Sequence, residues 1–152
     1  MNSPFLRSLQ VALSTTFFIW ISLFTVQVLN VNVHSQPVLS LEDHQEIFTS
    51  NVCRLLEYIQ HCGYKVTLGE AYRTHEQALI YAKEGLGIKN SLHCERLAVD
   101  LNIFAPDGKR LTTAEESLRF GQYWESLHIL NRWGGRWKRR PDADHYEMKD
   151  DR

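Results

Sequence analysis

Apolar positions dominate the first quarter of the chain, and charged ones the rest. No Asp, Glu, Lys or Arg lies between Ser8 and Leu41, and Arg7 is the only such residue before that stretch. All 18 acidic and 16 of the 17 basic residues follow from Glu42 onward. Residues 11–29 read VALSTTFFIWISLFTVQVL. As a helix they would span about 28 Å, close to the hydrocarbon core of a bilayer. Six of them are polar, which makes the segment a weak span. Arg7 precedes it and no Lys or Arg follows until Arg54, so the expected orientation is N-terminus inside and domain outside. Val33-His34-Ser35 has the small-residue spacing of a signal-peptidase site. A signal anchor, a cleaved signal peptide and a buried core helix are the three readings. The expected division is 1–38 for anchor or signal peptide with linker, and 39–152 for the domain. Localisation is then the inner membrane with the domain facing the periplasm or exterior, or secretion if the leader is cleaved.

Within the domain the periodicity alternates between helix and strand. Ser40 with Asp43 resembles a capping box. Phe48, Val52, Leu55, Leu56 and Ile59 follow at helical spacing, and Gly63 fits a stop, so a helix is expected over 41–62. Residues 64–68 read as a strand. Thr74 with Gln77 forms a second capping box and opens a helix that ends near Gly85 and Gly87. Leu97, Val99, Leu101 and Ile103 alternate with Ala98, Asp100 and Asn102, the pattern of a strand with one apolar and one polar face. Pro106-Asp107-Gly108 is a turn. A third helix is expected over 114–130, then an aromatic loop from Trp133 to Trp137, then a last strand over 145–148. This order predicts an α+β domain with a small antiparallel or mixed sheet and about three helices.

Composition narrows the options. The 152 residues suffice for one domain with a core. An aromatic content of 11% argues against disorder, and three cysteines are too few for a disulfide scaffold. The net charge of −1 speaks against nucleic-acid binding by bulk electrostatics.

Candidate chemistry gathers around two histidines. His93 precedes Asp100 by seven residues, at the entry to the two-faced strand. His145 opens the last strand, with Asp142 three residues before it and Glu147 two after. Two imidazoles and one carboxylate suffice to hold a catalytic zinc with a fourth position open. Asp142 could then accept a proton from water. Seven histidines offer many chance pairs, so spacing alone is a weak signal.

The local motifs sharpen it. Ser91-Leu92-His93-Cys94-Glu95-Arg96-Leu97-Ala98-Val99-Asp100 resembles the S-x-H-x-x-G-x-A-x-D signature of zinc peptidases of bacterial cell walls. That family includes D-Ala-D-Ala carboxypeptidases and phage L-alanyl-D-glutamate endopeptidases, on the hedgehog/DD-peptidase fold. Asp142-Ala143-Asp144-His145-Tyr146-Glu147 is similar to its second motif, and Gly69 to Thr74 to a strand end that carries an arginine. Trp133-Gly134-Gly135 through Trp137 matches a loop of phage members. The resemblance runs from about residue 39 to 148.

It implies a zinc cofactor bound by His93, Asp100 and His145, with Asp142 as general base and then acid. It implies that Arg73 holds an oxyanion or a substrate carboxylate. Ser91, Gln77, Glu147 and Trp137 become candidates for contacting substrate or steadying the ligands. The implied partner is the peptidoglycan stem peptide, with the membrane reached through the leader and no nucleic acid. The implied reaction is hydrolysis of a stem peptide bond, with the phage-type endopeptidase favoured over the carboxypeptidase. A non-catalytic zinc-binding module on the same fold and an unrelated metal hydrolase are the rivals.

One position departs from the signature: its glycine is Arg96 here. The turn before the strand must therefore differ or already be permissive. Cys94 could be a fourth ligand, an oxidation-sensitive thiol or plain packing. Cys53 and Cys62 fall on opposite sides of one expected helix, too far apart for a disulfide. His44, His61, His75 and His128 read most simply as surface or helix-face residues. Trp124 reads as core, while Trp133 and Trp137 could line a groove or close the core. Lys138-Arg139-Arg140 is a solvated loop or a contact for the anionic wall polymer.

Overall fold

The computed structural model describes residues 38–152. The expected membrane or signal segment over 11–29 lies outside the described residues. Among the described residues no helix is long and apolar enough to cross a membrane.

Helix α1 (Leu41–His61) starts at the Ser40 capping box, where Ser40 and Asp43 satisfy each other's backbone N–H. It ends where Gly63 turns left-handed at φ 82°. Strand β1 (Lys65–Leu68) follows, then α2 (His75–Lys83) behind the Thr74 cap. Thr74 accepts from the Gln77 backbone N–H, which is half of the expected box. A 3-10 turn (Leu92–Glu95) leads into β2 (Ala98–Phe104). Helix α3 (Ala114–Leu127) is three residues shorter than expected. Strand β3 (Asn131–Trp133), a second 3-10 turn (Gly134–Arg136) and β4 (His145–Met148) complete the chain.

The four strands form one sheet in the order β1-β2-β4-β3, and every pairing is antiparallel. The sheet is therefore antiparallel rather than mixed. Strand β3 was not expected: three residues are too few to show a period of two. Alternation splits the sheet into two faces. Val99, Leu101, Ile103, Tyr146, Met148 and Trp133 are buried in the core with Phe48, Leu55 and Ile59 of α1 and Phe120 and Trp124 of α3. Asp100, His145, Glu147 and Arg132 alternate with them and share the opposite face.

Trp133 locks α3 to the loop beyond β3. A β-carbon on Gly121 of α3 would lie 2.1 Å from its indole, and one on Gly135 would lie 2.2 Å from it. Its indole nitrogen donates to the Ala143 carbonyl at 3.0 Å. Trp133 thus belongs to the core, as does Trp124.

His44 is not a surface residue: its side chain is fully buried. Its Nδ1 lies 2.8 Å from the Ser40 carbonyl and its Nε2 2.8 Å from an Asp151 carboxylate oxygen. Both partners are acceptors, so the ring must carry both protons. The Ser40 carbonyl, followed by Asp151, raises its pKa above the ordinary value against the opposing effect of burial. The sign follows from linkage: stabilisation is full below the unfolded pKa of about 6.5 and is lost as pH rises through the higher folded value. Denaturant midpoints measured across this range should fall with pH in the native chain and less so in His44→Gln. An identical slope in the variant would refute this role.

The turn before β2 keeps the glycine-like conformation. Arg96 sits at φ 54°, ψ 35°, and is the only non-glycine residue with positive φ among those described. Its guanidinium carbon lies 4.5 Å from the centre of the Tyr72 ring, a cation–π contact that offsets part of the strain. Alanine there would keep the strain and lose the contact. Arg96→Gly should therefore be more stable than Arg96→Ala by about 1 kcal/mol, read from denaturant midpoints. Equal stability would remove the strain from the account.

Candidate metal centre

Three elements deliver the ligand candidates. The 3-10 turn supplies His93, the polar face of β2 supplies Asp100, and the first residue of β4 supplies His145. Asp100 and His145 are direct partners in the β2–β4 register. His93 reaches them because the Arg73 backbone N–H donates to the His93 carbonyl at 3.3 Å and the Arg96 N–H closes the turn on the same oxygen.

His93 Nε2 lies 3.3 Å from His145 Nδ1 and 3.4 Å from an Asp100 oxygen, and that oxygen lies 3.0 Å from His145 Nδ1. Zinc bonds of about 2.0–2.1 Å in a tetrahedron would separate such atoms by about 3.3 Å. The residues present thus fit a tetrahedral metal with three protein ligands. Among the described residues this is the one group of His, Cys, Asp and Glu whose donor atoms converge closely enough to hold a metal ion.

The local contacts favour charge on both Asp100 and His145. Burial opposes the charge on Asp100, yet hydrogen bonds from His145 and then His93 hold its carboxyl well below the ordinary range. Burial likewise opposes a charged His145, but bonds to Asp100 and Glu147 lift it to about 9. Metal coordination at Nδ1 would replace the proton on that nitrogen. His145 Nε2, 3.0 Å from Glu147 Oε2, would keep its bond to that carboxylate. A histidine that donates its far N–H to a carboxylate has its ring orientation fixed for a metal. Glu147 is buried, and its other oxygen is 2.7 Å from an Arg132 nitrogen.

These groups line a cavity of about 500 Å³ together with Arg73, Ser91, Asp142 and Trp137. Asp142 is exposed at this cavity. Its position is tied to His145: the Asp142 N–H donates to the Gly134 carbonyl at 3.0 Å, and the His145 N–H donates to the Asp142 carbonyl at 3.4 Å. A β-carbon at Gly134 would stand 2.6 Å from the Asp142 carbonyl oxygen and 3.0 Å from the His145 β-carbon. Only glycine lets the two chain segments approach this closely.

Arg73 is largely committed. Its Nε donates to Glu70 at 2.8 Å, its NH2 to the other oxygen of Glu70, and its NH1 to Ser91 Oγ at 3.2 Å. Three of its five N–H donors are thus engaged. Trp137 lies over the site, its ring centroid 5.0 Å from that of His145. Ser91 touches Arg73 rather than a ligand candidate. Gln77 is not among the residues that line the cavity, and its backbone N–H serves the α2 cap. Cys94 is buried, free, and has its thiol pKa raised by that burial, so it packs beside the site. Arg140, from the basic run Lys138-Arg139-Arg140, lines the cavity, while Glu70 and Arg132 were not anticipated. A basic partner three residues after Glu70 was a readable signal, but Arg132 depends on the unseen strand β3.

Fold and site together define a candidate metal centre in a cavity that also presents Asp142 and Arg73. Residues 85–148 match the model of a family described as D-alanyl-D-alanine carboxypeptidase, a span that holds His93, Asp100, Asp142 and His145 but not Arg73. Among solved structures, the Serratia marcescens L-Ala D-Glu endopeptidase ChiX is similar in fold, with a TM-score of 0.54 at 16% identity. The match covers 80% of this chain and 95% of that one. No curated protein matches the sequence significantly. The family match contains both histidine motifs, and the structural match shows a shared fold.

Proposed function

We propose that the domain is a zinc-dependent peptidase that hydrolyses a bond in the peptidoglycan stem peptide, with the L-alanyl-D-glutamate endopeptidase as the preferred type. The observation that carries this reading is the convergence of His93, Asp100 and His145 at tetrahedral spacing beside Asp142. His93 Nε2, His145 Nδ1 and an Asp100 oxygen would hold the zinc, which when bound polarises a peptide carbonyl and lowers the pKa of water.

The chain's own residues divide the remaining work. Asp142 takes a proton from the attacking water and returns it to the leaving amine, so one carboxylate serves both half-steps. Glu147 holds the His145 ring by its Nε2 proton. Arg73, braced by Glu70, offers its two remaining N–H donors to oxygen charge that develops on the substrate. Trp137 shields one side of the cavity from water. A D-alanyl-D-alanine carboxypeptidase is the second reading, and the description of the matching family favours it.

Mass spectrometry of purified muropeptides after digestion separates the two. Release of L-Ala from D-Glu is expected, whereas a freed terminal D-Ala would select the carboxypeptidase. Intact muropeptides in the presence of zinc would defeat both.

A further inference from the structure

We propose that Arg132 is a specificity-determining residue that binds a carboxylate of the substrate peptide next to the scissile bond. The inference deepens the peptidase reading and rests on it for the identity of the peptide.

Arg132 is the central residue of β3, an edge strand, and pairs in register with Glu147. The backbone there is pinned, because the Trp124 indole N–H is shared between the Arg132 and Glu147 carbonyls at 3.0 and 3.1 Å. The side chain therefore rises from a fixed base onto the face that carries Glu147, His145 and Asp100. It reaches the cavity one carboxylate away from His145, because Glu147 bonds His145 with one oxygen and Arg132 with the other.

Three arginines line the cavity, and they are not equivalent. Arg73 has most of its donors taken by Glu70 and Ser91. Arg140 belongs to a loop and donates to the Gly85 carbonyl at 2.9 Å. Arg132 has one ion-pair contact, and its side chain is 48% exposed. Four of its five N–H donors remain, held on a strand rather than on a loop. A planar fork of that kind matches a carboxylate in a bidentate manner.

Charge balance points the same way. With a metal in place of the His145 Nδ1 proton, Arg73, Arg132 and Arg140 oppose Asp100, Asp142 and Glu147 among the lining residues, three against three. A divalent metal would make the loaded cavity positive. An anionic peptide would restore neutrality, and the half-exposed guanidinium beside the ligands is where its charge would rest. Leu86, Ile88 and Trp137 supply apolar wall for the uncharged part of the peptide.

The test compares Arg132→Met with the unsubstituted full-length protein on three synthetic stem peptides. One has all carboxylates free, one is amidated at the D-Glu α-carboxylate, and one is amidated at the C-terminus. Steady-state kinetics give kcat and KM, and zinc per chain is measured alongside. The expected result is a KM about 10- to 100-fold higher for the free peptide in the variant. The effect should vanish for one of the two amidated peptides, which identifies the carboxylate that is read. Zinc content should not change. Equal losses on all three peptides, or loss of zinc, would overturn the proposal, because Arg132 would then act only by holding Glu147. Titration calorimetry repeats the comparison in Asp142→Ala, so that binding is read without turnover. If the native protein hydrolyses none of the peptides, the peptidase reading falls while the isotherms still decide Arg132. Absence of any preference for the free carboxylate in those isotherms would refute it.

Discussion

Asp142→Ala is expected to lower kcat by about 10²- to 10⁴-fold while the chain retains its zinc. Geometry separates the two functions. The three converging donor atoms come from His93, Asp100 and His145, and the Asp142 side chain is not among them. Asp142 lines the same cavity but is exposed, and its structural ties run through its backbone to Gly134 and His145. Removal of its carboxyl therefore leaves the loop in place. Turnover of muropeptides and metal analysis of the purified variant provide the check. Full activity would rule out Asp142 as the proton carrier, and loss of metal would make it a ligand instead.

His145→Ala should abolish metal binding and also destabilise the fold. Two donors cannot replace three. The ring also stands between two acids, with Asp100 on Nδ1 and Glu147 on Nε2. Without it, both carboxylates lose a hydrogen-bond partner, and that of Glu147 is buried. Breaking a buried ion cluster from one side costs about 3–5 kcal/mol, and the remaining Arg132 contact to Glu147 favours the lower end. Metal content and thermal unfolding of the variant measure both effects. A variant that holds one zinc per chain would refute the assignment of ligands.

The strong periodic segments were legible in the sequence. Strand β2 announced itself by alternation, and its odd residue out, Asp100, marked the face that carries the chemistry. The capping box at Ser40 placed the start of α1, and His145 to Met148 read correctly as a strand. Asn131 to Trp133 did not, because three residues are too few to show a period of two. With β3 hidden, the Arg132–Glu147 pair was hidden too, since register and not sequence spacing makes them neighbours. Burial of His44 escaped for a similar reason: its partner Asp151 lies 107 residues away. At Arg96 the sequence left two alternatives, a changed turn or a permissive one, and the backbone takes the second: it keeps the left-handed bend, with the side chain stacked on Tyr72.

The alternation of β2 and β4 ties chemistry to folding. Leu101 and Tyr146 face the core, while Asp100 and His145, one residue away on each strand, face the cavity. A slip of the β2–β4 ladder by one residue would carry a histidine and a carboxylate into the hydrophobic interior and expose the core residues to water. Such a misaligned chain would lose its stability and its ligand set together. The cohesion of the fold thus also sets Asp100 beside His145, and a chain that reaches its full core has brought these two candidate ligands together by the same act.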